Sequence, residues 1–147
     1  MPSVSQTRTV VRRFLSRLGT VDVGKDEIFS MRNGSTRVFV AVEDFGDGDT
    51  WIRIFCPVLT GVSPSPELFE YVALNAGNYR YGTVSAEKES DGAIRLLLTH
   101  GILGTYLDPE ELRIAVALLA DSADTIDDQL KQMFGGVRFH EDGDPNG

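Results

Sequence analysis

The residues best suited to covalent or metal chemistry are few in this 147-residue chain: Cys56, His100 and His140, and scattered carboxylates. Cys56 and His100 could in principle pair as nucleophile and base. Cys56, however, shares a strand face with Ile52 and Ile54, where a thiol is inert packing. It also precedes Pro57, which predicts the end of that strand. His100, beside Thr99 and before Gly101, reads as an edge histidine. One cysteine excludes an intrachain disulfide and a thiolate-rich zinc site, and two histidines exclude a multi-histidine metal centre. Asp44, Asp47 and Asp49 lack the spacing and terminal glutamate of a calcium-binding EF-hand loop, and a polar hairpin turn accounts for them. No glycine-rich phosphate loop is present, and Asp44-Phe45-Gly46 has none of the other kinase motifs around it. Tyr79 and Tyr81 could stack on bases, but cross-strand packing is the simpler role. Asp121, Asp124, Asp127 and Asp128 read as the solvated face of a helix. The chain is therefore expected to be no enzyme and to need no metal or cofactor.

Binding chemistry is better represented. Alternation places Val38, Val40 and Val42, Ile52, Ile54 and Cys56, and Ile94, Leu96 and Leu98 on one face of three strands. That face is aliphatic and should meet helices. The opposite face mixes Phe39, Trp51, Phe55 and Leu97 with Arg53 and Arg95. Large aromatics beside arginine are what interface hot spots favour. The alternative is that a second helix or a loop covers this face while the arginines reach out to solvent.

Composition sets the bounds. Hydrophobic residues make up 41% and charged residues 24%, which is globular composition, and the length suits one domain. The net charge of −8 opposes sequence-independent nucleic-acid binding. Charge is uneven: residues 1–40 hold seven Lys and Arg against three Asp and Glu, a net of +4, and the remainder seven against nineteen, a net of −12. No apolar run approaches the roughly 20 residues of a membrane helix. The N-terminal stretch lacks the apolar core of a signal peptide, so a cytoplasmic location is expected.

The elements that must position these residues follow from periodicity and turn signals. Val10, Val11, Phe14, Leu15 and Leu18 predict an amphipathic helix over 7–18, flanked by Arg8, Arg12, Arg13 and Arg17. Strands are predicted over 28–31, 37–45 and 50–58, with turns at Asn33-Gly34 and Asp47-Gly48. Ser65-Pro66-Glu67 opens a second helix that Gly77 ends. Strands over 79–87 and 93–100 flank Asp91-Gly92. Asp108-Pro109-Glu110-Glu111 then opens a long helix whose stripe is Leu112, Val116, Leu119, Ala123, Ile126, Leu130 and Met133, with Gly135-Gly136 as its stop. The order α-β-β-β-α-β-β-α predicts an α+β two-layer sandwich with a five-stranded antiparallel sheet. Residues 1–139 are expected to form one domain, and residues 140–147 a disordered acidic tail.

Several local patterns carry a family likeness: Phe55-Cys56-Pro57-Val58-Leu59, Pro66-Glu67-Leu68, Leu74-Asn75 and Gly92-Ala93-Ile94. Leu107-Asp108-Pro109-Glu110-Glu111-Leu112, Ala123-Asp124 and Phe134-Gly135-Gly136 continue the series. Over about residues 7–139 the chain resembles the YbjN-type proteins, which are similar to the type III secretion chaperones of bacteria. The resemblance implies a small, acidic, dimeric cytoplasmic protein that holds a polypeptide without ATP. It brings no catalytic residues.

Two functions are compatible with this reading. One is a chaperone-like or adaptor protein, a homodimer that captures a protein or peptide client on the face of Phe39, Trp51, Arg53, Phe55, Arg95 and Leu97, with no nucleic acid or membrane as partner. The other is a small-ligand or nucleotide-sensing domain in which Arg12, Arg13 or Arg17 meets an anion beside the first helix.

Overall fold

The computed structural model describes residues 3–34, 36–78 and 82–139. Helix α1 runs over Val4–Ser16. It begins earlier than the apolar period suggests because Ser3 and Gln6 close a capping box: each side chain bonds the other's backbone N–H. Strands β1 (Asp22–Val23), β2 (Phe29–Asn33), β3 (Thr36–Gly46) and β4 (Asp49–Val62) follow. Helix α2 spans Pro66–Asn75, β5 spans Thr83–Lys88, and β6 spans Ile94–Leu103. Helix α3 (Pro109–Phe134) and β7 (Val137–Arg138) end the described chain. Ser65 accepts the Leu68 N–H at the start of α2, and Asp108 accepts the Glu110 N–H at the start of α3. Gly135, at φ 74°, stops α3 where an L side chain would be strained.

The sheet is antiparallel throughout, in the order β1-β2-β3-β4-β6-β5, with β7 paired to β4. It has seven strands rather than the expected five. The additional pair, β1 and β7, are two residues each, too short to carry a period. Arg37, buried against solvent, ties β1 in place by donating to Asp22 and to Ser30. β4 does not end at Pro57 but runs to Val62. A register shift between Pro57 and Leu59 absorbs the missing N–H.

α1 and α3 pack side by side on the aliphatic face of the sheet. Val38, Val40, Val42, Ile52, Ile54, Cys56, Leu96 and Leu98 join Val11 and Leu15 of α1, and Leu112, Leu119, Ala123 and Leu130 of α3, in one buried cluster. α2 lies on this same side: Leu68 enters the cluster, and the Tyr71 ring meets Phe134 at the end of α3. The second helix therefore leaves the opposite face alone. The strand predicted from Tyr79 begins at Thr83, and Tyr79 and Tyr81 lie outside the described residues. His140 and the tail 140–147 also lie outside them.

Candidate functional site

Strand register assembles the face away from the helices. Phe39 pairs with Phe55 across β3 and β4, and their rings stack with centroids 5.2 Å apart and planes 11° apart. One step along, Arg53 sits opposite Ala41, with its guanidinium 4.6 Å above the Phe55 ring. Its Nε donates to Glu43 at 3.0 Å. Both partners are more than a third exposed, so the pair adds at most about 1 kcal/mol and mainly holds the guanidinium in place. A further step along, Trp51 stacks on Phe45 at 5.4 Å and 20°.

Trp51 also lies flat across β6. A Cβ at position 101 would stand 1.9 Å from Cζ2 of the indole, so glycine there is what lets the ring settle on the backbone. Trp51, Arg53, Thr83, Thr99, His100 and Gly101 line a shallow hollow of about 260 Å³. Phe39, Trp51, Arg53 and Phe55 are thus brought together, each only partly buried. The other two residues assigned to this face differ. Leu97, at 3% exposure, is covered and offers no surface to a partner. Arg95 faces Glu87 across β5, and its Nε is buried without a hydrogen-bond partner. Phe45, Gly101 and Phe139 were not singled out by alternation. A glycine inside a β-branched and leucine-rich run was the one available signal for Gly101.

Among the described residues, the other reactive side chains are not brought together into a site. Cys56 is in the core, and burial pushes its thiol up to about 12, so almost no thiolate exists at neutral pH. Register sets Cys56 opposite Leu98 and His100 opposite Ile54. Asp44 caps the backbone N–H of Gly46, and Asp49 accepts the Thr105 hydroxyl from across the fold, so each carboxylate has a structural partner. Among the described residues no group of three His, Cys, Asp or Glu could hold a metal ion, and no helix is long and apolar enough to cross a membrane. Beside α1, Ser5, Arg8, Thr9, Arg12, Val23, Glu27 and Phe29 line a hollow of about 320 Å³, with Arg8 already paired to Glu27. Arg13 and Arg17 are not in it; both lie over the Phe14 ring.

Helices on one side and a part-exposed aromatic and arginine row on the other define a small α+β protein of the secretion-chaperone fold. The sequence places it further: over residues 5–142 the chain belongs to the TY-Chap1 family, described as T3SS (YopN, CesT) and YbjN peptide-binding chaperone 1. Solved structures share the fold. The ExsC–ExsE complex aligns at 16% identity and a TM-score of 0.64, over 88% of this chain and 97% of the other. YbjN from E. coli aligns at 11% and 0.63, over 91% and 97%. The Yersinia pestis type III secretion chaperone SycH, in complex with a stable fragment of YscM2, aligns at 14% and 0.54, over 81% and 98%. No curated protein sequence matches the chain.

Proposed function

We infer that this protein is a non-enzymatic, ATP-independent chaperone of the cytoplasm that holds a segment of a client polypeptide on the face of Phe39, Trp51, Arg53 and Phe55. The observation that carries this reading is the state of those aromatics. They are stacked, held in register by two strands, and left part-exposed on a face that no described helix covers. Rigid, pre-stacked rings lose little entropy on binding, and each completes its burial against a partner at about 25 cal/mol per Å². Arg53, fixed over Phe55, orients the segment through its carbonyl or carboxylate oxygens. Binding and release then follow mass action and need no nucleotide. Membership of a peptide-binding family and a fold shared with SycH, itself crystallised with a polypeptide fragment, support a polypeptide client.

The same reading gives the homodimer a separate surface. Between α2 and the end of α3, Glu67, Glu70, Tyr71, Leu74, Asn75, Met133 and Phe134 line an open hollow of about 320 Å³, with Leu74 71% exposed. A second copy on this apolar patch leaves the aromatic face free for a client.

The test is selection from a random peptide display library by the wild-type protein and by Trp51→Arg. The wild type is expected to enrich segments with aromatic or large aliphatic anchors. Trp51→Arg is expected to enrich none while its circular dichroism matches wild type. Equal enrichment by both proteins would place the client elsewhere.

A further inference from the structure

α1 carries a polar stripe beside the one it buries. Thr7, Val11 and Leu15 face the core, while Ser5, Arg8, Thr9 and Arg12 fall at i, i+3, i+4 and i+7 and share the adjoining side. These four form one wall of the hollow of about 320 Å³, and Val23, Glu27 and Phe29 form the other. That volume is at the small end of ligand-sized sites. Phe29 belongs to the buried cluster beneath the helices, so the hollow lies on the helix side of the sheet, away from the Phe39 and Trp51 rings.

Neither charge nor backbone is relaxed here. Arg8 is paired through Nη1 to Glu27, whose carboxylate is mostly exposed, and such exposed pairs contribute little. The same guanidinium buries its Nε without a hydrogen-bond partner, an exception that folded proteins rarely carry without a reason. Glu27 reaches Arg8 from a strained turn. Asp26 and Glu27 both sit at φ 60°, two successive non-glycine residues in the left-handed region. Arg12, meanwhile, is paired to none of the described residues. Glu27 thus brings one negative charge to a hollow with two arginines. The Thr9 hydroxyl proton goes to the Ser5 carbonyl, which leaves the Ser5 hydroxyl as a further donor.

We propose that this hollow binds a small phosphate monoester, its dianion set between Arg8 and Arg12 and displacing the Glu27 carboxylate. A ligand with a single carboxylate only exchanges one monoanion for another and does not match a partner tethered beside Arg8. A phosphate dianion neutralises both guanidinium groups and accepts from the Ser5 hydroxyl. It also gives the Arg8 Nε an acceptor as that side chain swings into the hollow. Release of Glu27 lets the backbone at residues 26 and 27 relax, which favours the bound state. Charge restricts the ligand to a small one. Residues 1–40 carry a net +4 but the rest of the chain −12, so a long polyanion is repelled beyond the hollow. The organic body of the ester rests on Val23, which is 46% exposed.

The probe is phenyl phosphate, titrated at neutral pH and constant ionic strength into isotope-labelled protein, with benzoate as a monoanion of similar body. The readouts are the Arg8 Nε–H resonance, which burial shields from exchange, and the backbone amides of residues 25–28. Saturable shifts at both are expected with phenyl phosphate and not with benzoate. Arg12→Ala should weaken binding about tenfold, the effect of losing one charge-assisted hydrogen bond. Arg13→Ala removes the same charge outside the hollow and should bind as wild type. Both arginines are exposed, so neither change threatens the fold. Glu27→Gln should tighten binding about two- to fivefold, since it removes the competing carboxylate. No saturable shift, equal shifts with benzoate, or equal losses from Arg12→Ala and Arg13→Ala would each overturn the site. Glu27→Gln binding no tighter than wild type would overturn the displacement.

Discussion

Gly101→Ala is the most exacting perturbation of the aromatic face, because it adds a single methyl group directly beneath the Trp51 indole. The new Cβ would stand 1.9, 2.6 and 2.8 Å from Cζ2, Cε2 and Cη2 of Trp51. Carbon atoms rest at about 3.5 Å or more, so the indole must retreat by roughly 1.6 Å. It is rigid, so it moves as a body. Leaving its rotamer costs about 0.5–1.5 kcal/mol. Losing the Phe45 stack costs a further 0.5–1.5 kcal/mol or so. The ring is only partly buried and can swing outward, which relieves part of this and leaves a loss of about 1–2 kcal/mol. In a chain of this length that lowers Tm by roughly 2–8 °C. Urea unfolding gives the free energy, and the emission of the single tryptophan reports the displacement as a red shift. The decisive control is the same change in a Trp51→Ala background. With the indole gone, alanine should instead stabilise by about 0.4–1 kcal/mol, by restricting the unfolded chain. A Gly101→Ala protein within about 0.3 kcal/mol of wild type with unchanged emission would refute the packing described. So would a loss that persists without Trp51.

Leu74→Glu places a charge on the patch between α2 and α3 and is expected to convert a dimer to a monomer in sedimentation equilibrium while peptide enrichment persists; loss of enrichment without loss of dimer would reverse the two surfaces. Cys56 should react with iodoacetamide only after denaturation, and rapid native alkylation at pH 7.4 would contradict its burial. Its thiol keeps its proton in the folded state while the unfolded chain ionises near 9, so the folded state binds more protons between pH 9 and about 12. Stability should therefore fall across that window by up to about 1.4 kcal/mol per pH unit. Cys56→Ala should flatten that part of the pH dependence, read by urea midpoints.

Legibility in the sequence followed the range of the forces involved. Ser65-Pro66, Asp108-Pro109 and the stripe from Leu112 to Leu130 act within one or two helical turns, and they produced helices where local chemistry placed them. Met133, the last member of that stripe, is half-exposed and lines the open hollow beside α2. The hairpin at Asn33-Gly34 and the alternation of β3, β4 and β6 are equally local, and they sorted Phe39, Trp51, Arg53 and Phe55 onto one face. Pro57 misled because its effect depends on its neighbours: a strand-ending signal in isolation is tolerated at a bulge.

Cap chemistry, turn chemistry and hydrophobic period were therefore sufficient, by themselves, for the order of the main elements, the aliphatic face and the aromatic one. Each is decided between residues a few positions apart. Tertiary structure alone decided that Leu97 is covered, that α2 stays on the helix side, and that Phe139 reaches Phe39. It also decided that Trp51 rests on Gly101, fifty residues away in the chain. These depend on register and on which edge of β4 each strand takes, and no local pattern encodes a pairing whose partners meet only when the sheet closes.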